Sequence, residues 1–157
     1  MGRTGFPAGV WIVIFALSFA FSATAESLPP TDPRPPVAFA HFPDRLHAFV
    51  WRNWEMVSLE RMARVLDTTP QKVREVGLSM GLPVHRTPPA ECQQRGYITI
   101  IRRNWHLLPF EQLLELLGWD ADKLAFALRE DDFLWIKLGS FKPSCPTLRY
   151  TEPNETT

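Results

Sequence analysis

The sequence predicts an α+β protein in which two degenerate strand–helix–helix(–strand) repeats pack as one small body behind a signal peptide and a Pro-rich linker. Three observations carry this. Arg52-Asn53-Trp54 recurs as Arg103-Asn104-Trp105, and residues 52–72 align without a gap onto 103–123 at an offset of 51. Identical pairs include Glu60/Glu111, Leu66/Leu117 and Lys72/Lys123, while Leu59/Phe110, Met62/Leu113 and Val65/Leu116 exchange one apolar residue for another. A repeat of this period marks a supersecondary unit that buries its apolar face against a neighbour. Second, apolar residues recur at i, i+3, i+4 and i+7 within each unit. Third, short apolar runs rich in β-branched and aromatic residues flank those stripes.

In order, residues 1–25 read as a signal peptide. Arg3 supplies positive charge, Ala8–Phe21 is an apolar run of 14 residues, and Ala23-Thr24-Ala25 is a small-x-small cleavage site. Such a run is short for a membrane span, which takes about 20 residues. Residues 26–44 read as a linker, because Pro29, Pro30, Pro33, Pro35, Pro36 and Pro43 favour extended backbone. Unit one covers 45–85. Its Leu46–Trp51 run reads as a strand. Ser58 caps a helix striped by Leu59, Met62, Ala63 and Leu66, and Thr69-Pro70 opens a second helix that ends by Gly81. A joint spans 86–95. Unit two covers 96–140, with Tyr97–Ile101 as a strand, a helix after Pro109 closed by Gly118 at C′, and a second helix capped by Asp120. Phe133–Leu138 reads as a returning strand and 141–157 as a polar tail.

Composition excludes as much as it suggests. With 17 basic and 17 acidic residues there is no bulk attraction to a polyanion. The helical pairs resemble a helix–turn–helix, yet the second helix of unit two runs into Glu130-Asp131-Asp132, which phosphate would repel. No nucleic acid partner is expected. Cys92 and Cys145 are candidates for a disulfide in an exported chain, worth about 3–4 kcal/mol if formed. Neither these two Cys nor His41, His47, His85 and His106 have metal-ligand spacing, and no cofactor motif is present. The carboxylates Glu111/Glu115 and Asp131-Asp132 read as solvated faces, so no catalytic residue is assigned and enzymatic activity is not expected.

The stretches Arg103–Pro109, Leu117–Trp119, Leu128–Leu134 and Lys137–Gly139 resemble the N-terminal accessory segment of large exported bacterial proteins, many of them carbohydrate-active. That resemblance implies an accessory module beside a catalytic partner, in this chain or another. The predicted element order over 97–138, and over 46–82, also resembles the LysM module, which implies binding of N-acetylglucosamine-containing glycans. LysM repeats place Gly-Asp-Thr/Ser after the first strand, where this chain has Arg103-Asn104-Trp105-His106, so no LysM binding residue is carried over.

The expectation is therefore an exported, non-catalytic module for glycan or cell-envelope material, peptidoglycan included, with no membrane span after signal cleavage. A structural module docking onto a partner enzyme is the alternative. Candidate ligand residues are the repeated Arg52, Asn53, Trp54, Arg103, Asn104 and Trp105, with Trp119 and Trp135. At equivalent positions of two units, Trp54 and Trp105 are expected in the core, which leaves Trp119 and Trp135 as the next aromatic platforms.

Overall fold

The computed structural model describes Met1 and residues 27–152; the stretch read as a signal peptide, beyond Met1, and the last five residues of the tail lie outside the described residues. Among the described residues there are seven helices and one parallel two-stranded sheet, so the chain is α+β only in the coarse sense. The helices are α1 (Arg45–Asn53), α2 (Leu59–Leu66), α3 (Pro70–Ser79), α4 (Ala90–Asn104), α5 (Phe110–Leu117), α6 (Ala121–Glu130) and α7 (Leu134–Lys137). The strands are β1 (Thr31–Asp32) and β2 (Lys142–Pro143), in register Thr31 to Lys142.

The three long strands expected from the sequence are helical. In α1, Leu46, Phe49 and Val50 are buried at i, i+3 and i+4, and the carboxylate of Asp44 accepts the His47 N–H at 2.8 Å as an N-cap. Tyr97–Ile101 lies inside the 15-residue α4, where half-buried Tyr97 and buried Ile100, Ile101 and Asn104 share one face. Burial of that face overrides the β preference of Ile and Thr, which is a weak prior in either direction. Phe133–Leu138 forms the single turn α7, with Leu134 and Leu138 inside. The strand–helix–helix–strand order behind the LysM resemblance is thus helical throughout 90–137, apart from its turns.

The α2–α3 and α5–α6 hairpins form where stripes and caps place them. Ser58 Oγ, Thr69 Oγ1 and Asp120 Oδ1 each accept the N–H three residues on, at 3.3, 3.4 and 2.8 Å. Gly118 ends α5 at φ +65°, and Asp67, its counterpart by alignment, ends α2 at φ +55°. That left-handed position costs little for Gly and more for Asp.

One apolar core runs through both units. α1 packs on α4 and α2 on α5, so the first two helices of each unit meet their own counterparts. Across α2 and α5, Arg64 pairs with Glu115 at 2.7 Å, and Gln112 Nε2 donates to Val65 O and Leu148 O at 2.6 and 2.7 Å. The segments at either end join this body. Leu28, Phe39 and Phe42 pack on the core, so the Pro-rich stretch is extended but does not stand off as a spacer. The polar tail contributes buried Lys142, Cys145 and Leu148. Proline denies these segments helix; it does not deny them burial.

The expected disulfide is absent. Cys92 is exposed near the start of α4 and Cys145 is buried, and both are free. Helix α4 begins inside the stretch read as a joint and carries Cys92 on its outer side, while Cys145 Sγ faces Trp105 O at 3.8 Å.

Candidate ligand site

The repeated triplets meet each other at the centre of the molecule. Asn53 and Asn104 are fully buried. Asn53 Nδ2 donates to Asn104 Oδ1 at 2.9 Å, and Asn104 Nδ2 returns the bond to Asn53 Oδ1 at 2.8 Å. Each amide also donates to the carbonyl four residues back, Phe49 and Ile100, at 2.8 Å. Arg52 Nε donates to Arg103 O, and Arg103 Nη1 to Arg52 O, both at 2.8 Å. Every bond in this set has its mirror image. The triplets seal the two units together rather than line a groove.

Both repeated tryptophans are core. Trp54 is 3% exposed and donates Nε1–H to Pro83 O at 3.0 Å; Trp105 is 1% exposed and donates to Phe141 O at 2.8 Å. Six of the eight residues singled out are thus consumed by the scaffold, although Arg52 and Arg103 keep part of their guanidinium at the surface. Trp119 is half-buried, tilted against Tyr97 at 5.0 Å and covered by Lys123 at 4.4 Å. Trp135, also half-buried, packs edge-on to Trp105 and lines a cleft of about 340 Å³ with Pro29, Ala125, Leu128, Phe133 and Ile136. Phe126, Phe133 and Ile136 are exposed, and Asp132 and Phe133 both hold positive φ, at 48° and 54°. Of the carboxylates read as solvated faces, Glu111, Glu115 and Asp132 are exposed, with Glu115 paired to Arg64 and Asp132 to Lys137, while half-buried Asp131 accepts the Tyr97 hydroxyl at 2.7 Å.

Comparison of the chain with protein families, with curated proteins and with solved structures finds no match. The site must therefore be read from its geometry.

A second cavity, also about 340 Å³, opens between the 36–45 segment and the turn after α4. Its walls include Phe39, Phe42, Arg45 and His106. Phe42 lies 5.6 Å from the ring of Trp51, which is 52% exposed on α1, so an aromatic surface runs from solvent into the cavity. Arg52 covers Phe39 at 5.2 Å. Arg45 Nη2 donates to Leu107 O and to Pro146 O, while its buried Nε has no partner. His106 Nδ1 accepts the Val37 N–H at 3.2 Å, which leaves the ring proton on Nε2. Burial pushes the His106 imidazole below its usual pKa, and the charges of Lys142 and Arg52 push it the same way.

Sequence reasoning missed this site. Phe39 and Phe42 sit in a stretch read as spacer, Trp51 in a run read as a strand, and Arg45 just ahead of that run. The one available signal was His106 itself, which stands where unit one has Glu55.

Proposed function

We propose that the chain is an exported, non-catalytic binding module for glycan or cell-envelope material, built from two copies of one helical unit. Support for binding comes from the aromatic surface of Trp51, Phe42 and Phe39 leading into a cavity that carries Arg45 and His106. Sugars present an apolar C–H face and a polar rim, and a ring with hydrogen-bond donors beside it matches both. Support for export comes from residues 1–25, which predict a mature chain starting at Glu26.

The experiment is retention of the secreted chain on insoluble peptidoglycan and on chitin. Trp51→Ala should lose retention and keep the wild-type melting temperature, since the ring is half exposed. Absence of retention by the wild type at millimolar sugar equivalents overturns the reading. A second reading, docking of an apolar segment of a partner enzyme, is favoured by exposed Phe133 and Ile136 at the α6–α7 cleft. In that case Phe133→Ser, and not Trp51→Ala, abolishes association with the partner.

A further inference from the structure

We propose that the cavity between the 36–45 segment and His106 takes a carboxylate, carried on an acidic sugar or on a free small acid. The inference rests on the binding reading above and adds the charge of the ligand. It starts from an imbalance. The chain as a whole is neutral, yet Arg45, Arg52, Arg103 and Lys142 gather around this end of the core with no carboxylate at ion-pair distance among the described residues. Elsewhere Arg34, Arg64, Lys72, Lys137 and Arg149 each have an acidic partner. Here the cations hydrogen-bond backbone carbonyls, Arg45 to Leu107 and Pro146, Arg52 and Arg103 to each other's, and Lys142 to Trp105, Leu108 and Pro143, with the Cys145 Sγ as a fourth partner of Lys142 at 3.5 Å.

Carbonyl dipoles satisfy donors but supply no counter-charge, and partly buried cations without one repel each other. The direction of each shift agrees. Burial lowers Lys142 despite the opposing pull of Cys145 and Glu111, with Arg45 adding the smallest push downward; burial lowers Arg52 and Arg103 adds to it. Of these cations Arg45 is the one that lines the cavity, so an anion there supplies its counter-charge directly.

The cavity offers places for it. Arg45 lines the wall with only Nη2 engaged, its buried Nε lacking any partner, and His106 keeps Nε2–H as a donor. The Arg45 Nε is closed off from solvent, so a ligand in the cavity meets the outer part of the guanidinium and His106 rather than this atom. Val37, Phe39, Phe42 and Pro43 make the remaining wall apolar. That wall suits a singly charged carboxylate on a ring better than a dianionic phosphate, whose oxygens need more donors than Arg45 and His106 supply. Asp44 also lines the cavity, but its carboxylate is committed to the N–H and the ring of His47, at 2.8 and 2.7 Å.

The test titrates the full secreted chain, by calorimetry, with four probes. These are neutral chitotetraose, a tetrasaccharide alternating glucuronic acid with N-acetylglucosamine, sodium acetate, and inorganic phosphate. The acidic tetrasaccharide should bind about tenfold or more tighter than chitotetraose, as expected for one charge-assisted contact, and salt should narrow the gap. Acetate displacing it places the recognition in the carboxylate alone; acetate failing to displace it assigns the source to the acidic sugar. Arg45→Gln should close the gap. Because Arg45 also ties Leu107 to Pro146, His106→Phe serves as the second variant, keeping the ring's bulk and losing its donor. Equal binding of neutral and acidic sugars overturns the carboxylate and leaves the glycan reading standing. Phosphate binding as tightly as acetate overturns it as well, and no binding of any probe overturns both.

Discussion

Replacing Asn104 by Leu tests whether the central amide pair is a matched unit. The substitution removes both mutual bonds, at 2.8 and 2.9 Å, and the bond from Asn104 to Ile100 O. It strands Asn53 at zero exposure with an unused oxygen and one unused N–H. A buried polar group left without a partner costs about 1–3 kcal/mol, so Asn104→Leu should destabilise by about 2–4 kcal/mol. The double variant Asn53→Leu/Asn104→Leu removes the stranded groups and replaces them by apolar side chains of similar volume. It should therefore cost less than the sum of the two single changes, and less than the worse single change. Urea unfolding followed by circular dichroism gives the four free energies of the cycle. Additive losses would refute the reasoning, because independent sites do not couple.

Three further outcomes follow from the same core. Trp105→Ala should cost about 3–5 kcal/mol, a large share of a small domain's stability, and a wild-type melting temperature would show that the ring is not the core element described. Gly77→Ala should destabilise, although alanine is the better helix former by about 1 kcal/mol, because a Cβ at Gly77 would fall within the Trp54 ring; a rise in melting temperature would contradict that close approach. The hydrogen bond to Asp131 and burial raise the Tyr97 phenol to about 12. A folded pKa above the unfolded one favours the protonated form in the folded state. Its stabilisation is therefore complete below about pH 10 and lost as pH rises towards about 12. Over that window the wild type should lose more stability than Tyr97→Phe, and parallel melting curves would rule this out.

The hairpins α2–α3 and α5–α6 were legible because two local signals coincide in each. An i, i+3, i+4 stripe marks the buried face, and Ser58, Thr69, Asp120 and Gly118 mark the ends. Helices α1 and α4 were not legible because runs of β-branched and aromatic residues mark them, while their buried face is completed by tertiary neighbours, α3 and α4 for α1, α1 and α5 for α4. Asp44 was the overlooked stop sign at the start of α1. The ends of the chain were misjudged for a related reason: proline reports on backbone conformation, and says nothing of whether Phe39 or Leu148 is covered. The triplet was found, but its bonding could not be. Nothing local distinguishes an Asn that greets a ligand from one that greets its own repeat fifty-one positions away. Arg45 and Trp51 share α1, but His106, Phe39 and Phe42 join them only through tertiary packing.

The mirror-image bonding at the centre makes the surface of each unit its own complement. Whatever Arg52 and Asn53 offer across the contact, Arg103 and Asn104 offer in return. A chain that opened through the 80–89 connection could give its second half to another copy and receive that copy's half, with the central bonds remade in kind. Only the tether favours closing at home, because it holds the partner half at high effective concentration. An ancestor with a single unit would have met its like as a symmetric pair, stable only above some threshold of abundance. Joined in tandem, the same contact forms at any dilution.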